Sequence, residues 1–486
     1  MLKNTTILVL TFIFGIVGTA TGATVIVPDH YSTIQDAIDS AFIGDVVMVR
    51  AGTYVENIDF MGKAITVESE SGAALTVIDG GQQGSVVLFN KGEGALSVLD
   101  GFTLTNGSGT FAAAPFNDYC GGGIFCDYSF PTIKNNVIDT NSAIYGGGVC
   151  FSQSTSAEFV GNRVSNNTAT TGAGIFCRYS NTTIAGNIIS NNNAGYGGGG
   201  VACWLTSSPT LVNNIIHSNR ADGSGGGGAV RAYNKSEPVL VNNTIVGNVA
   251  DRGNGHALFC KNGVITVTNS IIWDNESAEG SVAWVEHTST PSSLTMSHSN
   301  LEGAQSAVYV APGNTLNWNA GMIDSDPLFV DSQDFHLTLA SPCRNSGDNS
   351  MVSLIDADFE GDTRVVQGAV DMGADEFYYH LYTVGTITAG AEISIRVVGL
   401  PDAPVRLCQG SFLATPQASQ YGDFYLQRPL ANLWNLGTIP SNGVLILAAS
   451  IPEFWDAGES FHFQSLVGNF GGAYTRLTNV LDIVVE

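Results

Sequence analysis

Along residues 121–275, apolar and polar positions alternate in short runs that restart about every 26 residues. Asn141, Asn167, Asn192, Asn219, Asn248 and Asn275 mark the register, at spacings of 26, 25, 27, 29 and 27. Three positions before each lies Ile138, Val164, Ile189, Ile216, Ile245 or Ile272, and five before lies Asn136, Asn162, Asn187, Asn214, Asn243 or Ser270. Eight before come Ile133, Phe159, Ile184, Leu211, Leu240 and Val267. Between units runs a glycine patch: GGGIFC, GGGVCF, GAGIFC, GGGVAC, GGAVRA, GHALFC. A repeat of this length dictates architecture, because each unit must bury its apolar face against its neighbours.

The units are too poor in helix formers for a helical repeat and rich in β-branched residues flanked by Asn and Gly. Three short strands per coil are predicted. Asparagine tolerates the left-handed backbone of a sharp corner and can hydrogen-bond along a stack of copies, and glycine serves the other corner. Coils would then stack at the strand spacing of ~4.8 Å. On these motifs the chain resembles the right-handed parallel β-helix family, the pectin-lyase-like superfamily. The resemblance implies an all-β solenoid and does not by itself imply an activity.

Other patterns divide the rest of the chain. Lys3, the apolar run Ile7 to Val17 and the small residues GTATGA predict a signal peptide over 1–23, cleaved after Ala20 or Ala23. The run is shorter than the ~20 residues a membrane-spanning helix needs, so an exported chain without a transmembrane segment is expected. Residues 24–120 form an N-terminal cap and first coils. There Ile34, Ala37, Ile38 and Ala41 have helical spacing behind the capping candidates Ser32 and Thr33, and this stretch resembles the N-terminal segment of pectin methylesterases. The segment Asn106 to Cys120 is expected to project as a loop, either as a contact element or as packing between coils. Residues 121–323 hold the regular coils and the last irregular ones.

Two stretches within 324–379, Asp324 to Asn349 and Asp356 to Phe377, resemble a closing segment that follows β-helix repeats in bacterial exported proteins. Asp356, Asp358, Glu360 and Asp362 alternate there like the ligands of a calcium loop. A bound Ca²⁺ is thus a candidate, against the plainer reading of hydrogen-bonded turn carboxylates. From about His380, short alternating runs separated by Gly, Pro and Asn predict a small C-terminal β-sandwich over 380–486.

Charge narrows the partners. With 43 acidic against 18 basic residues, a net charge of -25 disfavours nucleic acid and anionic membrane surfaces. Cys126, Cys177, Cys203 and Cys260 share one repeat position with Phe151 and Ala232, so they are expected to fill the core as small hydrophobes rather than form disulfides or a zinc site. Cys120, Cys150, Cys343 and Cys408 stand outside that row, and a bridge among them stays open.

Alternation in the strand after each glycine patch points Ile124 and Cys126, Val149 and Phe151, Ile175 and Cys177 inward. The outward positions then read Phe125, Cys150, Phe176, Ala202, Arg231, Phe259, and next to them Asp127, Ser152, Arg178, Trp204, Tyr233, Lys261, with Tyr179 adjoining. Such a stripe suits a sugar chain: aromatic faces stack on pyranose rings, and Arg and Lys pair with uronate or sulfate. The alternative is that these side chains lie under the loop after Asn106 or under the C-terminal domain.

The superfamily resemblance implies polysaccharide elimination as one activity, for which Arg178, Arg231, Tyr233 and Lys261 are the catalytic candidates. Glycoside hydrolysis needs two facing carboxylates, and Asp127 is the only acid in the rows. Two function classes follow. One is a monomeric protein, exported or at the cell surface, that binds, or binds and cleaves, an acidic polysaccharide or cell-surface glycan. The other is a non-enzymatic adhesin or structural protein, since the repeats also resemble those of polymorphic outer-membrane adhesins.

Overall fold

The computed structural model describes residues 22–377, apart from 114–116, 154–155, 253–254, 276–279, 355–356 and 366–367, and beyond them the strands between Leu381 and Val484. The expected signal peptide lies outside the described residues except for its last two.

Three long parallel sheets build the molecule. Sheet 1 has twelve strands, from Thr24–Val27 to Thr315–Trp318; sheet 2 has ten, from Gly52–Val55 to Asn300–Leu301; sheet 3 has ten, from Ile58–Asp59 to Val308–Val310. One coil shows the path: Ile175–Arg178 in sheet 3, Thr183–Ala185 in sheet 1, Ile188–Ser190 in sheet 2. The three strands expected per coil are present. The middle coils add a fourth, such as Asn193–Gly197, which leads into the glycine corner and belongs to a seven-stranded sheet 4. Sheet 4 starts with an antiparallel pair, Thr110–Ala112 with Asp118–Cys120, so the segment after Asn106 is a ribbon joined to the solenoid.

The coils stack in register, Ile175 on Val201, Ile184 on Leu211, Ile189 on Ile216. Every inward row predicted from alternation is buried in one continuous core, Cys126, Cys177, Cys203 and Cys260 included. The helix Ile34–Ser40 closes the N-terminal end of that core with Ile34, Ala37 and Ile38. Thr33 is its cap, its hydroxyl accepting from the Asp36 amide at 3.1 Å, and the Glu56 carboxylate takes the amides of Ile34 and Gln35.

Asparagine lines two ladders, one at each end of sheet 2. Asn192 is typical: its Nδ2 donates to Asn219 Oδ1 in the next coil at 2.9 Å and to Val164 O in the previous coil at 2.9 Å. Its own Oδ1 accepts from the backbone and side-chain amides of Asn167. The parallel ladder runs through Asn136, Asn162, Asn187, Asn214 and Asn243 and ends on the hydroxyls of Ser270 and Ser299.

One expectation is corrected here. The ladder asparagines do not adopt the left-handed conformation. The residue before each does: Asn135, Gly161, Gly186, Asn213, Asn242 and Asn269 in one ladder, Thr140, Asn166, Asn191, Ser218, Gly247 and Asp274 in the other. The corner divides its two needs, a left-handed residue to turn the chain and a buried amide to satisfy the backbone it exposes. At the glycine corner, Gly146 has φ 68°, and a Cβ on Gly148 would stand 2.6 Å from Gly174 O.

After sheet 1 ends, residues 326–377 turn back along the outer face of sheet 2. Phe335 packs with Ile215 and Val246, and Leu337, Cys343, Met372 and Phe377 pack with Ile271. Hydrogen bonds tie the two together: Asn213 Nδ2 to Ala357 O, Ala374 N to Thr244 Oγ1, Gly373 N to Asn269 O. At the centre, the fully buried Arg364 donates to the carbonyls of Asp371, Gly373 and Ala374, each at 3.0 Å.

In the region expected to be a β-sandwich the described strands pair antiparallel, for example Glu392–Val398 with Val444–Ser450 and Ser460–Val467 with Arg476–Val484. Among the described residues no helix is long and apolar enough to cross a membrane.

Candidate functional site

The outward face of sheet 3 carries the stripe. Parallel register places Arg178, Trp204, Tyr233, Lys261 and Glu286 side by side on successive coils, with Asp127 and Ser152 before them. The neighbouring row runs Leu88, Phe125, Cys150, Phe176, Ala202, Arg231, Phe259, Trp284, Tyr309.

These rows point away from the core, but solvent does not reach most of the second one. Phe125, Phe176, Arg231 and Phe259 are buried, which corrects the expectation that they face water. Ala112 and Cys120 of the ribbon, together with Tyr145 of sheet 4, lie over Phe125, Cys150, Phe176 and Ala202 and make a small second apolar cluster. The Tyr145 ring stands 5.0 Å from Phe176 and 5.7 Å from Trp204. Trp204, Tyr233 and Lys261 remain half-buried, and Tyr179 is exposed at 37 %.

The three cations are engaged within the protein. Arg231 sits among Tyr196, Tyr233 and Phe259, with its guanidinium carbon 5.0, 4.8 and 5.8 Å from the ring centroids, and its Nε donates to Gly225 O at 2.9 Å. It clamps the glycine loop that precedes its own strand, and burial pushes its pKa down. Arg178 is buried with its guanidinium 5.0 Å from the Tyr179 ring. Lys261 pairs with Glu286 at 2.8 Å. Burial works against ionising Glu286, yet Lys261 and the Trp284 indole outweigh it and hold the carboxyl below its usual value. Asp127 moves the other way: burial raises it, against the opposing pull of Ser152 and Arg178.

Two aromatic features lie beyond the rows read from sequence. Trp284 and Tyr309 continue the stripe past the regular repeats and stack at 3.7 Å and 21°; the alternation of AWVE and VYV carried that signal. Tyr128 and Tyr179 occupy the turn after the strand, both at φ 50°, where later coils place Asn234 and Asn262. An aromatic residue is costly in that conformation and asparagine is not, yet Tyr128 is 65 % exposed and gains little by burial.

The cysteines behave as core filler. All seven described thiols are free and buried: Cys120, Cys126, Cys150, Cys177, Cys203, Cys260 and Cys343. Burial pushes Cys260 and Cys343 up to about 12 and Cys126 well above its usual value, which withholds the thiolate that a metal or an oxidant needs. The side chain of Cys408 lies outside the described residues.

In the acidic stretch, Asp358 is a turn carboxylate. Its Oδ1 accepts from the amides of Glu360 and Asp362, each at 2.9 Å, and its Oδ2 from the Glu376 amide at 3.0 Å. Burial pushes Asp362 up to about 6, helped by Glu360 and opposed by His336. Glu360 turns to His336, at 3.1 Å. Asp356 lies outside the described residues.

Residues 122–294 match a sequence family described as right handed beta helix region. No curated protein matches the chain. Among solved structures, the crystal structure of the Acinetobacter phage vB_ApiP_P1 tailspike protein is similar at 11% identity, covering 89% of this chain and 82% of that one, with a TM-score of 0.27. From its stacked parallel sheets, its asparagine ladders and this family match, the chain is a right-handed β-helix repeat protein.

Proposed function

We propose that the chain binds a polysaccharide along the outward face of sheet 3, with Trp204 and Tyr233 as the central stacking platforms. The observation that carries this reading is their placement: half-buried, on adjacent coils, with ring centroids 6.1 Å apart, between exposed Tyr179 on one side and the Trp284–Tyr309 stack on the other. A half-buried aromatic row at coil spacing offers an extended polymer repeated apolar contacts without reorganisation. Tyr128 at its left-handed turn supports the reading, because backbone strain at a largely exposed aromatic residue marks a surface in use.

Stacking rather than charge is the main term. Arg178, Arg231 and Lys261 already face rings or a carboxylate, so a uronate would have to compete for them. An acidic polymer remains the preferred class, since Lys261 and Arg178 adjoin the platforms in the same row, but its retention should depend weakly on salt. Binding stands ahead of cleavage, because the two carboxylates of the row, Asp127 and Glu286, stand at its opposite ends and Glu286 is paired with Lys261, while Arg231 in the neighbouring row is locked by its own cage.

The test is affinity electrophoresis of the full chain through gels containing acidic and neutral polysaccharides, with the ultraviolet absorbance of unsaturated products followed in parallel. We expect retention by an acidic polymer without products, weakened roughly tenfold, or about 1.4 kcal/mol, by Trp204→Ala. Retention equal in wild type and Trp204→Ala would reject the face. Cell adhesion without retention on any polysaccharide would favour the adhesin reading.

A further inference from the structure

The segment folded over sheet 2 brings together a donor set that the stripe does not use. Asp334 and His336 come from one stretch, Glu360 from a second and Asp375 from a third, and one ligand atom each from His336, Glu360 and Asp375 lies within 4.8 Å of the other two. This set differs from the alternating acids that suggest calcium in the sequence. It shares only Glu360 with them, and Asp358 spends its carboxylate on three backbone amides.

Each donor is prepared in a different way. Asp334 Oδ1 pairs with Nδ1 of His336, which orients the ring and turns Nε2 towards Glu360 Oε2 at 3.1 Å. A carboxylate behind one imidazole nitrogen is the usual support for a metal on the other. Phe359 flanks the ring, with centroids 5.4 Å apart. Asp375 is only 2 % exposed; its Oδ2 accepts from the Leu337 amide at 2.8 Å, and its Oδ1 has no hydrogen-bond partner among the described residues. Arg364 is nearby but donates to the carbonyls of Asp371, Gly373 and Ala374. A carboxylate oxygen buried without a partner is costly, and a cation beside His336 and Glu360 would remove that cost.

We propose that His336 Nε2, Glu360 and Asp375 bind one divalent first-row transition cation that pins the three stretches to each other. The mixture of imidazole and carboxylate fits zinc or manganese. It does not fit calcium, which takes six to eight oxygen ligands.

Equilibrium dialysis of the intact protein against Zn²⁺, with metal analysis of the retained fraction, measures the site directly. One equivalent of zinc per chain is expected, a rise in melting temperature with zinc and its reversal by a chelator, and no comparable rise with Ca²⁺. Glu360→Gln keeps the size of a partly exposed side chain and should fold; without metal it should melt somewhat lower than wild type, because the pair with His336 is weakened, and it should weaken zinc binding at least tenfold. Asp375→Asn should abolish binding. Should Asp375→Asn fail to fold, Co²⁺ absorption compared between wild type and Glu360→Gln decides. Zinc retained equally by wild type and Glu360→Gln, no zinc retained by wild type, or Ca²⁺ bound as tightly as Zn²⁺ would each overturn the proposal.

Discussion

The coils of residues 121–275 and the segment folded over them, residues 326–377, solve the same problem in opposite ways. Both must satisfy buried backbone at sharp turns. The coils do it by repetition: each corner has its own left-handed residue, its own buried amide and a copy of itself above and below, so no single residue is indispensable. The folded-back segment lacks a repeat and gathers its turns around single side chains, Arg364 for three carbonyls and Asp358 for three amides. Stabilisation shared along a ladder resists a point change, and stabilisation concentrated on one ion does not.

The largest effect should therefore come from Arg364. Replacing it by alanine takes the Arg364 donor from the carbonyls of Asp371 and Gly373, leaves Ala374 O with the Phe359 amide, and removes the cation facing Asp358, Asp371, Asp375 and Glu376. Removing one partner of a buried charged network costs about 3–5 kcal/mol. The loss should stay local: hydrogen exchange should accelerate across residues 334–377 while the amides of the ladder strands keep their protection. Uniform acceleration through both regions would show that the coils depend on the segment and would break the contrast.

Asn192→Ala probes the other side. It removes the acceptor of two Asn167 donors and the donor to Asn219 Oδ1 and Val164 O. Unsatisfied buried groups cost about 1–3 kcal/mol each, and relaxation between neighbouring coils should hold the total to about 2–3 kcal/mol. Asn192→Ser should recover about half of this, because Ser270 and Ser299 already take that role in the parallel ladder. Chemical denaturation of both variants measures the order. A serine variant as damaged as the alanine variant would mean that the amide's second hydrogen bond, not the acceptor, sustains the ladder.

The same contrast explains what the sequence made legible. Repetition averages out local ambiguity, so the inward rows and the burial of the repeat cysteines follow from register and alternation alone, while the capping helix behind Ser32 and Thr33 follows from its own apolar spacing. Alternation also tells which way Phe125, Phe176 and Arg231 point, but not what lies over them. Their cover comes from Ala112 and Cys120 of the ribbon, whose docking no period announces, and from Tyr145 and Tyr196 on the fourth strands of sheet 4, which a reading of three strands per coil leaves out. In the non-repeating segment the reading followed local spacing from Asp356 to Asp362. The convergence of Glu360 with His336 and Asp375 depends on how three stretches meet in space, and Arg364 gave no signal because a lone arginine in TRVV looks like any surface cation.

The smallest effect lies where the two regions meet. His217 stands on the outer face of sheet 2 against Phe335 of the folded-back segment, with ring centroids 5.1 Å apart. Burial, with a smaller contribution from Arg163, lowers its pKa to about 4. The folded protein thus keeps the ring neutral at pH values where the unfolded chain, titrating near 6.5, takes up a proton. Above pH 6.5 the residue leaves stability unaffected by pH. As pH falls from 6.5 towards 4, stability drops by about 1.4 kcal/mol per unit, so the loss at pH 5.5 relative to pH 7.5 should be about 1.4 kcal/mol. His217→Phe keeps an aromatic ring against Phe335 and cannot be protonated, so its stability difference between the two pH values should be smaller than wild type by that amount. If wild type and variant respond alike, water reaches His217 and the segment does not seal sheet 2 at this point. If they differ, one imidazole on a coil reports the docking of its neighbour, and Arg364→Ala should erase the difference by exposing it.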